Sequence, residues 1–306
     1  MFELPFQSEL LYDVPLNLEA TLFCGQAFRW QKLGEDAFQA VVYGEILRLT
    51  ALQPHRLLIA ATAECINGKS LRDFVWHYLG LEDDVSMLFP ASFSQTYPHL
   101  YQGASAYLGL RLLRQEPFET LISFMCAQGV GIALIRRQVF LLSKYFGDFI
   151  AITEYKFPTP EQLANASIDN LTRCTNNNSH RAHNIRAISM AVTQGDLNLA
   201  QLSAPHCDFE TARETLLRYS GIGEKIADCV CLFGLGHRTA FPIDTHVRQY
   251  LAAWFGLSTH TASLTSKEYR RLSDAARRIL GEAQAGLVGQ LLFHYWRKDV
   301  KFMKAF

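Results

Sequence analysis

The sequence predicts an α+β protein, with an N-terminal antiparallel β-sheet domain followed by a mostly α-helical domain. Two observations carry that prediction. The first 65 residues break into short apolar runs divided by turn formers, and from about Ser70 the apolar spacing lengthens from that of a strand to that of a helix. A division near residue 105 follows, with a sheet domain and its flanking helix over 1–105 and a helical domain over 106–306.

Strands are expected at 18–23, 38–43, 46–50 and 57–61, rich in β-branched, aromatic and Leu residues and separated by turn formers such as Gly34-Glu-Asp and Gln53-Pro-His. Leu71, Phe74, Val75, Tyr78 and Leu79 then fall on one helical face. The stretch 118–146 reads as two helices broken at Gly129-Val-Gly131, and Phe157-Pro-Thr-Pro-Glu161 leads into an N-capped helix. Further helices are expected over 181–192, 208–219, 224–235, 245–255, 267–280 and 285–297. No internal repeat or low-complexity segment interrupts them.

Composition narrows the function classes. At 49% hydrophobic and 19% charged residues the 306-residue chain can bury full cores and is too apolar for disorder. Lys plus Arg equals Asp plus Glu at 29 each, so there is no long-range pull on a polyanion and any nucleic-acid face must be local. Local basic groups occur at Arg136, Arg137 and Lys144, at His180, Arg181, His183 and Arg186, and at Arg297, Lys298, Lys301 and Lys304; solvated helix faces account for such groups equally well. The seven scattered cysteines suit reduced buried thiols, with no Cys-x-x-Cys pair and none after Cys231, so neither a disulfide framework nor an iron–sulfur loop is expected. No metal site or cofactor is predicted. The first residues, MFELPFQSELLYD, carry acids where a secretory signal needs a basic flank, and no apolar run approaches membrane-spanning length. An intracellular protein, in the cytoplasm or nucleoid or in a nucleus, is expected, with no membrane association and no visible signal for anything beyond a monomer.

The chemistry concentrates after residue 215. In Leu216-Leu-Arg-Tyr-Ser-Gly221-Ile-Gly223-Glu-Lys225-Ile-Ala-Asp-Cys229-Val, two glycines one residue apart lie between two helices (hairpin about 208–235). Such a hairpin leaves backbone N–H groups uncovered and able to hold a phosphate, though an ordinary helix–turn–helix joint has the same glycines. Nineteen residues beyond Lys225 stands Phe241-Pro-Ile-Asp244-Thr-His246-Val, where Asp244 reads as an N-cap with its carboxylate at the positive end of a helix. Lys225 shares a helical face with Asp228 and Cys229. A solvated lysine and a plain capping aspartate are the ordinary explanations of each part taken singly. The combination of hairpin, lysine and downstream Pro-x-Asp is the specific signal.

Other segments carry a resemblance over nearly the whole chain. Cys24-Gly-Gln-Ala-Phe-Arg-Trp30, Gly109-Leu-Arg-Leu-Leu-Arg-Gln-Glu-Pro117, Gly221-Ile-Gly-Glu-Lys-Ile-Ala-Asp-Cys229 and Pro242-Ile-Asp-Thr-His246 are similar to segments of the 8-oxoguanine DNA glycosylase/AP lyase family, within the helix-hairpin-helix glycosylase superfamily. The resemblance implies a helix-hairpin-helix glycosylase domain in the helical half and removal of an oxidised purine from duplex DNA. It implies Lys225 as the nucleophile that attacks the sugar C1′, expels the base and forms a Schiff base, and Asp244 as the carboxylate that steadies the developing sugar cation. The base must leave the stack to be attacked. The family's pocket then implies Cys229 and Phe293 on the two faces of that base, and the Gly25 carbonyl accepting from the N7–H that 8-oxoguanine has and guanine lacks. Gly221, Gly223, His246, His180 and Arg181 are the implied DNA contacts; a buried thiol, a core Phe and a turn Gly remain the structural alternatives for the pocket residues.

The sequence departs from the family in two places. Gly129-Val-Gly131 and Leu134 stand where the family carries Asn-Asn-Asn and an Arg, so of the two arginines that read the opposite cytosine only Arg181 is matched. Asn176 to Asn178 are then a candidate substitute wedge, with a turn-rich loop as the alternative. Gly289 stands where the family places a Gln that reads the Watson–Crick edge, and Gln290 is turned about 100° away along the helix. Two other functions stay open at this stage: a monofunctional glycosylase for another damaged base, disfavoured by Lys225, and a non-catalytic helix-hairpin-helix DNA-binding protein, disfavoured by Lys225 and Asp244 together. Relatives acting on adenine mismatches and pyrimidine lesions usually carry a four-cysteine cluster, which this chain lacks.

Overall fold

The computed structural model describes residues 3–53, 55–85, 88–151, 153–259 and 264–303; Pro54 of the expected 53–55 turn and Lys304 of the C-terminal basic group lie outside them. The main strands are β1 (Phe6–Leu11), β2 (Gln31–Lys32), β3 (Ala37–Val42), β4 (Glu45–Gln53) and β5 (Arg56–Ala61). The main helices are α1 (Leu18–Phe23), α2 (Leu71–Tyr78), α3 (Pro117–Met125), α4 (Ile132–Phe146), α5 (Ser179–Gln194), α6 (Phe209–Leu217), α7 (Glu224–Phe233), α8 (Thr245–Phe255), α9 (Ser266–Leu280) and α10 (Ala285–Tyr295). By compactness the chain forms two units that interleave along the sequence. One holds Met1–Val14, Gly25–Glu82 and Leu113–Leu199; the other holds Pro15–Cys24, Asp83–Leu112 and Ala200–Phe306.

The first unit contains the antiparallel sheet, in the order β1-β5-β4-β3-β2. β3 and β4 are joined by Tyr43 and Gly44, both with positive φ (50° and 82°), the pair of left-handed residues that a two-residue hairpin needs to match strand twist. Leu47, Leu49, Leu57 and Ile59 are fully buried in the paired strands. Trp30 is likewise buried, and its indole N–H donates to the Tyr78 hydroxyl of α2 at 3.0 Å. Helices α3, α4 and α5 complete this unit. Pro117 opens α3 behind the Glu116 cap, and α4 starts after Gly131, at the expected break.

Two expectations need correction. Residues 18–23 form a helix, not a strand: Asn17 caps it, with Oδ1 accepting from the Ala20 N–H at 3.0 Å, and a six-residue apolar run has no periodicity that distinguishes the two. A strand that the apolar runs do not mark, β1, also pairs with β5; its FQSELL exposes most of its side chains and so lacks an apolar run. The later helices lie within two or three residues of expectation, and α10 passes into a turn of π-helix at Trp296–Val300.

The second unit is drawn from three distant stretches, and Arg111 fastens two of them. Its buried guanidinium donates from Nε and Nη2 to the Pro15 carbonyl (2.9 and 2.6 Å) and from Nη1 to the Asp83 carbonyl (2.8 Å). Gly109 lies against the same segment: its carbonyl accepts from Asn17 N–H at 2.7 Å, and a Cβ added to it would stand 2.6 Å from that backbone nitrogen. Two backbones this close admit no side chain. We expect Gly109→Ala to destabilise the protein by about 1–3 kcal/mol, as overpacking does; an unchanged thermal midpoint would refute the close approach.

Candidate active site

The site is assembled in the second unit, from the hairpin upward. α6 ends at Leu217, the chain turns through Gly221 (φ 86°), and Gly223 opens α7 in extended conformation with no side-chain cap. A Cβ at Gly223 would meet nothing within 4 Å, so the amides at the positive end of α7 lie beside open space. The apolar side of α7, from Ile226 to Phe233, is buried throughout, whereas Lys225 is half-buried at the first turn.

The hairpin is pinned by charge inside its own fold. Arg213 of α6 and Asp228 of α7 are 4% and 0% exposed and are joined Nε to Oδ1 at 2.6 Å, while Arg213 also pairs with Glu224. The other oxygen of Asp228 accepts from the Tyr269 hydroxyl of α9 at 2.8 Å, and that hydroxyl accepts from the Ile243 backbone N–H at 3.0 Å. The relay therefore runs from α6 through α7 and α9 to the residue before Asp244. Neither Arg213 nor Tyr269 was singled out from sequence, since nothing local marks two polar residues 56 positions apart as partners to one carboxylate.

Asp244 caps α8 as expected, its Oδ1 accepting from Val247 N–H at 2.8 Å. One turn into α7 lies the buried Cys229. Burial pushes its thiol up to about 12; the cation of Lys225 opposes this, and the carboxylates of Asp228 and Asp244 reinforce it. Lys225, one turn before Cys229 on α7, and Asp244 both lie within electrostatic reach of this buried thiol, which stays neutral. His246 lies edge-on to the Phe293 ring (centroids 6.1 Å apart, 71°), and the Arg297 guanidinium is 5.4 Å from that ring centre. Burial lowers the His246 imidazole, with Arg297 and Lys301 adding to the effect against Asp244.

Gly289, one turn before Phe293 on α10, is filled from outside. A Cβ there would be 2.5 Å from the Phe241 ring, so that ring occupies the space of any side chain at 289. Gln290, expected to face elsewhere, is 8% exposed and donates to the Cys24 carbonyl at 2.7 Å. It thereby holds the peptide that leads into Gly25, whose φ is 89°.

His180, Arg181 and the three asparagines belong to the first unit. His180 is exposed in the first turn of α5. Arg181 is 5% exposed, with Nη1 donating to Gln138 Oε1 (2.9 Å) and Nη2 to the Gln128 carbonyl (2.7 Å), so this guanidinium is turned inward and does not join His180 and His183 at the surface. Asn176 and Asn177 are exposed and both left-handed (φ 57° and 56°), and Asn178 caps α5. In the C-terminal group Arg297 is buried, and Lys298 and Lys301 stack over Tyr107 and Trp296 at 5.4 and 4.8 Å.

Known proteins identify the family. Residues 10–121 match the family described as the 8-oxoguanine DNA glycosylase N-terminal domain, and residues 137–275 match the HhH-GPD superfamily of base excision DNA repair proteins. The chain belongs to the 8-oxoguanine DNA glycosylase family. Among curated relatives of the family, it is 28% identical to N-glycosylase/DNA lyase OGG1 of Arabidopsis thaliana, over 92% of this chain and 78% of that protein. It is 27% identical to the N-glycosylase/DNA lyase of Saccharomyces cerevisiae, over 92% and 79%. Of solved structures, MBOgg1 in complex with a low-affinity DNA ligand superposes with a TM-score of 0.82 at 26% identity, over 95% of this chain and 96% of that one. The 8-oxoguanine glycosylase/lyase of Clostridium acetobutylicum shares the fold (TM-score 0.80, 22% identity, 98% and 100% covered).

Tyr269 tests whether the relay sets the site. Replacing it with Phe leaves the Ile243 N–H buried without an acceptor and Asp228 one donor short, which should lower stability by about 1–3 kcal/mol. If the relay also fixes Asp244, kcat for base excision should fall while KM changes little. Excision at the wild-type rate by folded Tyr269→Phe protein would show the relay to be structural only.

Proposed function

We infer that this chain is a bifunctional DNA glycosylase and AP lyase of base-excision repair, removing 8-oxoguanine from duplex DNA. The observation that carries the reading is the placement of Lys225 one turn before the buried Cys229 at the start of α7, behind the glycine hairpin, with the Asp244 cap within electrostatic reach of the same thiol. We assign Lys225 as the nucleophile. Its neutral Nζ forms a bond to C1′ as the glycosidic bond breaks and the base departs with the electron pair; loss of the ring oxygen bond and of a proton from nitrogen leaves the Schiff base. Asp244, held by the α8 amides, offsets the positive charge that develops on the sugar.

The pocket assignments rest on the same site. Phe293 and Cys229 supply apolar faces for the extruded base, and Gly25, led in by the peptide that Gln290 holds, supplies the carbonyl for N7–H. With the Phe241 ring filling the space beside Gly289, no side chain from that position meets the Watson–Crick edge. Discrimination then rests on N7–H and stacking, so other purines that share an N7–H become substrates. Gly221, Gly223 and His246 take backbone phosphates, and His180 faces the duplex. Arg181 takes part once the bonds to Gln138 and Gln128 are exchanged. The sheet-bearing residues 1–105 and helical residues 106–306 are read as the two modules of this enzyme, supported by family matches that end at 121 and begin at 137. We read the enzyme as a monomer; among the described residues no helix is long and apolar enough to cross a membrane.

Borohydride trapping on duplexes with 8-oxoguanine opposite each normal base tests the chemistry. Wild-type protein should give a covalent adduct, and Lys225→Gln should give none and lose excision by on the order of a thousandfold or more. No wild-type adduct on these duplexes or on an abasic site would remove the lyase.

Asn176 and Asn177 are proposed as the wedge that fills the space left by the extruded base, in place of the side chain absent at Gly129. Their left-handed backbone is one that Asn tolerates and that holds both amides outward. Glycine keeps that backbone and removes the amides, so the double Asn→Gly variant should slow excision from duplex about tenfold while sparing lyase action on a preformed abasic site. Equal excision rates would dismiss the wedge.

A further inference from the structure

A cavity of about 280 Å³ opens in the first unit, between β3, α4 and the loop that ends at Tyr155, and uses none of the residues assigned above to base excision. Its size is at the lower end for small-molecule sites, which suits a single compact ligand. Phe28, Arg136, Arg137, Phe140, Glu154 and Tyr155 line it. We propose that this cavity binds a guanine nucleotide, with the base between aromatic rings and against Glu154 and the phosphate on Arg136 and Arg137.

The charge argues for an anion. Arg29 also borders the cavity, but it is matched by Glu119 at 3.4 Å and donates to the Tyr155 carbonyl. Arg136 donates only from Nη2 among the described residues, to the Trp30 carbonyl at 2.5 Å, and burial lowers its guanidinium. Arg137 is exposed and makes no hydrogen bond or ion pair among the described residues. Two guanidiniums thus face one carboxylate, leaving one net positive charge in a largely apolar recess. A phosphate neutralises it and takes paired N–H donors from the guanidinium fork.

The rings argue for an aromatic ligand. Arg136, Phe140 and Ser143 recur along one stripe of α4, and Phe140 keeps 43% of its surface exposed, unusual for a phenylalanine beside a recess. Tyr155 is held edge-on by Phe149 (5.8 Å, 69°) and is braced to stack with Phe140 on a planar base, while Phe28, buried against Phe124 (5.4 Å, 74°), forms the apolar floor.

Glu154 selects the base. The residue is 9% exposed, and Oε1 accepts from Gln39 Nε2 at 3.1 Å; Gln39 is itself fixed by Arg48, whose Nη2 donates to its side-chain carbonyl oxygen at 2.8 Å. Among the described residues no donor reaches Oε2. A carboxylate has sites for further donors, and guanine offers two in parallel, N1–H and the exocyclic amine, where adenine presents an acceptor at N1. The same chemistry occurs in a free nucleotide and in a single strand containing guanine.

Titration calorimetry on the full chain distinguishes these sources, with GMP, AMP, inorganic phosphate and short single strands of dG or dA as probes. The expected result is saturable binding of GMP, of the dG strand, or of both, tighter than the adenine counterpart and than phosphate. Arg137→Glu, at an exposed position, should weaken it about tenfold, as loss of one charge-assisted contact does. Phe140→Ala should weaken it as well, with base excision unchanged, and Glu154→Gln should erase the preference for guanine. GMP alone binding assigns a free nucleotide, and the dG strand alone a single strand. No saturable binding by either, equal affinity for guanine and adenine, or affinity untouched by both Arg137→Glu and Phe140→Ala would overturn the proposal.

Discussion

The geometry of the second unit depends on one buried carboxylate. Asp228 is wholly inaccessible, yet it receives Arg213 on one oxygen and the Tyr269 hydroxyl on the other. A buried charge so placed is destabilising unless its partners are all present, and removing one is more harmful than never having had the pair. That asymmetry ties α6, α7 and α9 together: the loss of any one of the three side chains leaves a buried polar group short of a partner and weakens their packing. The tyrosine hydroxyl then extends the constraint to the Ile243 N–H, and through one peptide to Asp244. The hairpin that opens α7 and the Asp244 cap of α8 are thereby set in one frame, although 19 residues separate Lys225 from Asp244.

Much of this was legible beforehand, for local reasons. Asp244 was readable as a cap because Asp-Thr-His-Val carries the whole signal in four residues, and the glycines at 221 and 223 because a turn between helices needs them. Residues 18–23 were not, because the information that makes them helical is one side chain, Asn17, standing outside the apolar run. β1 was missed for the opposite reason: it is a strand through pairing with β5, with most of its own side chains exposed. The Asp228 relay and the inward turn of Arg181 are contacts between residues far apart in sequence, for which a single chain carries no pattern.

Departures from the family pattern take on physical meaning in the same way. Gly289 looks like a deletion of function when read alone. In the structure the Phe241 ring occupies the volume that a side chain at 289 would need. Reverting the glycine alone would therefore set a side chain against a fully buried ring three residues from Asp244. Phe241 and Gly289 have to be regarded as a pair, and the choice at one position restricts the other.

Gln290 extends that logic to the lesion. An amide on the helix that carries Phe293 fixes the Cys24 carbonyl, and thus the orientation of the peptide entering Gly25, whose left-handed φ is open to glycine at little cost. A carbonyl that must distinguish one N–H from a lone pair can do so only if it does not rotate, because a freely turning peptide would present its own N–H to guanine instead. The discriminating group proposed above is the Gly25 carbonyl, one peptide beyond the carbonyl that Gln290 holds. Two neighbouring positions of α10 thus bear on different walls: Gly289 makes room for the Phe241 ring, and Gln290 anchors the Cys24 carbonyl.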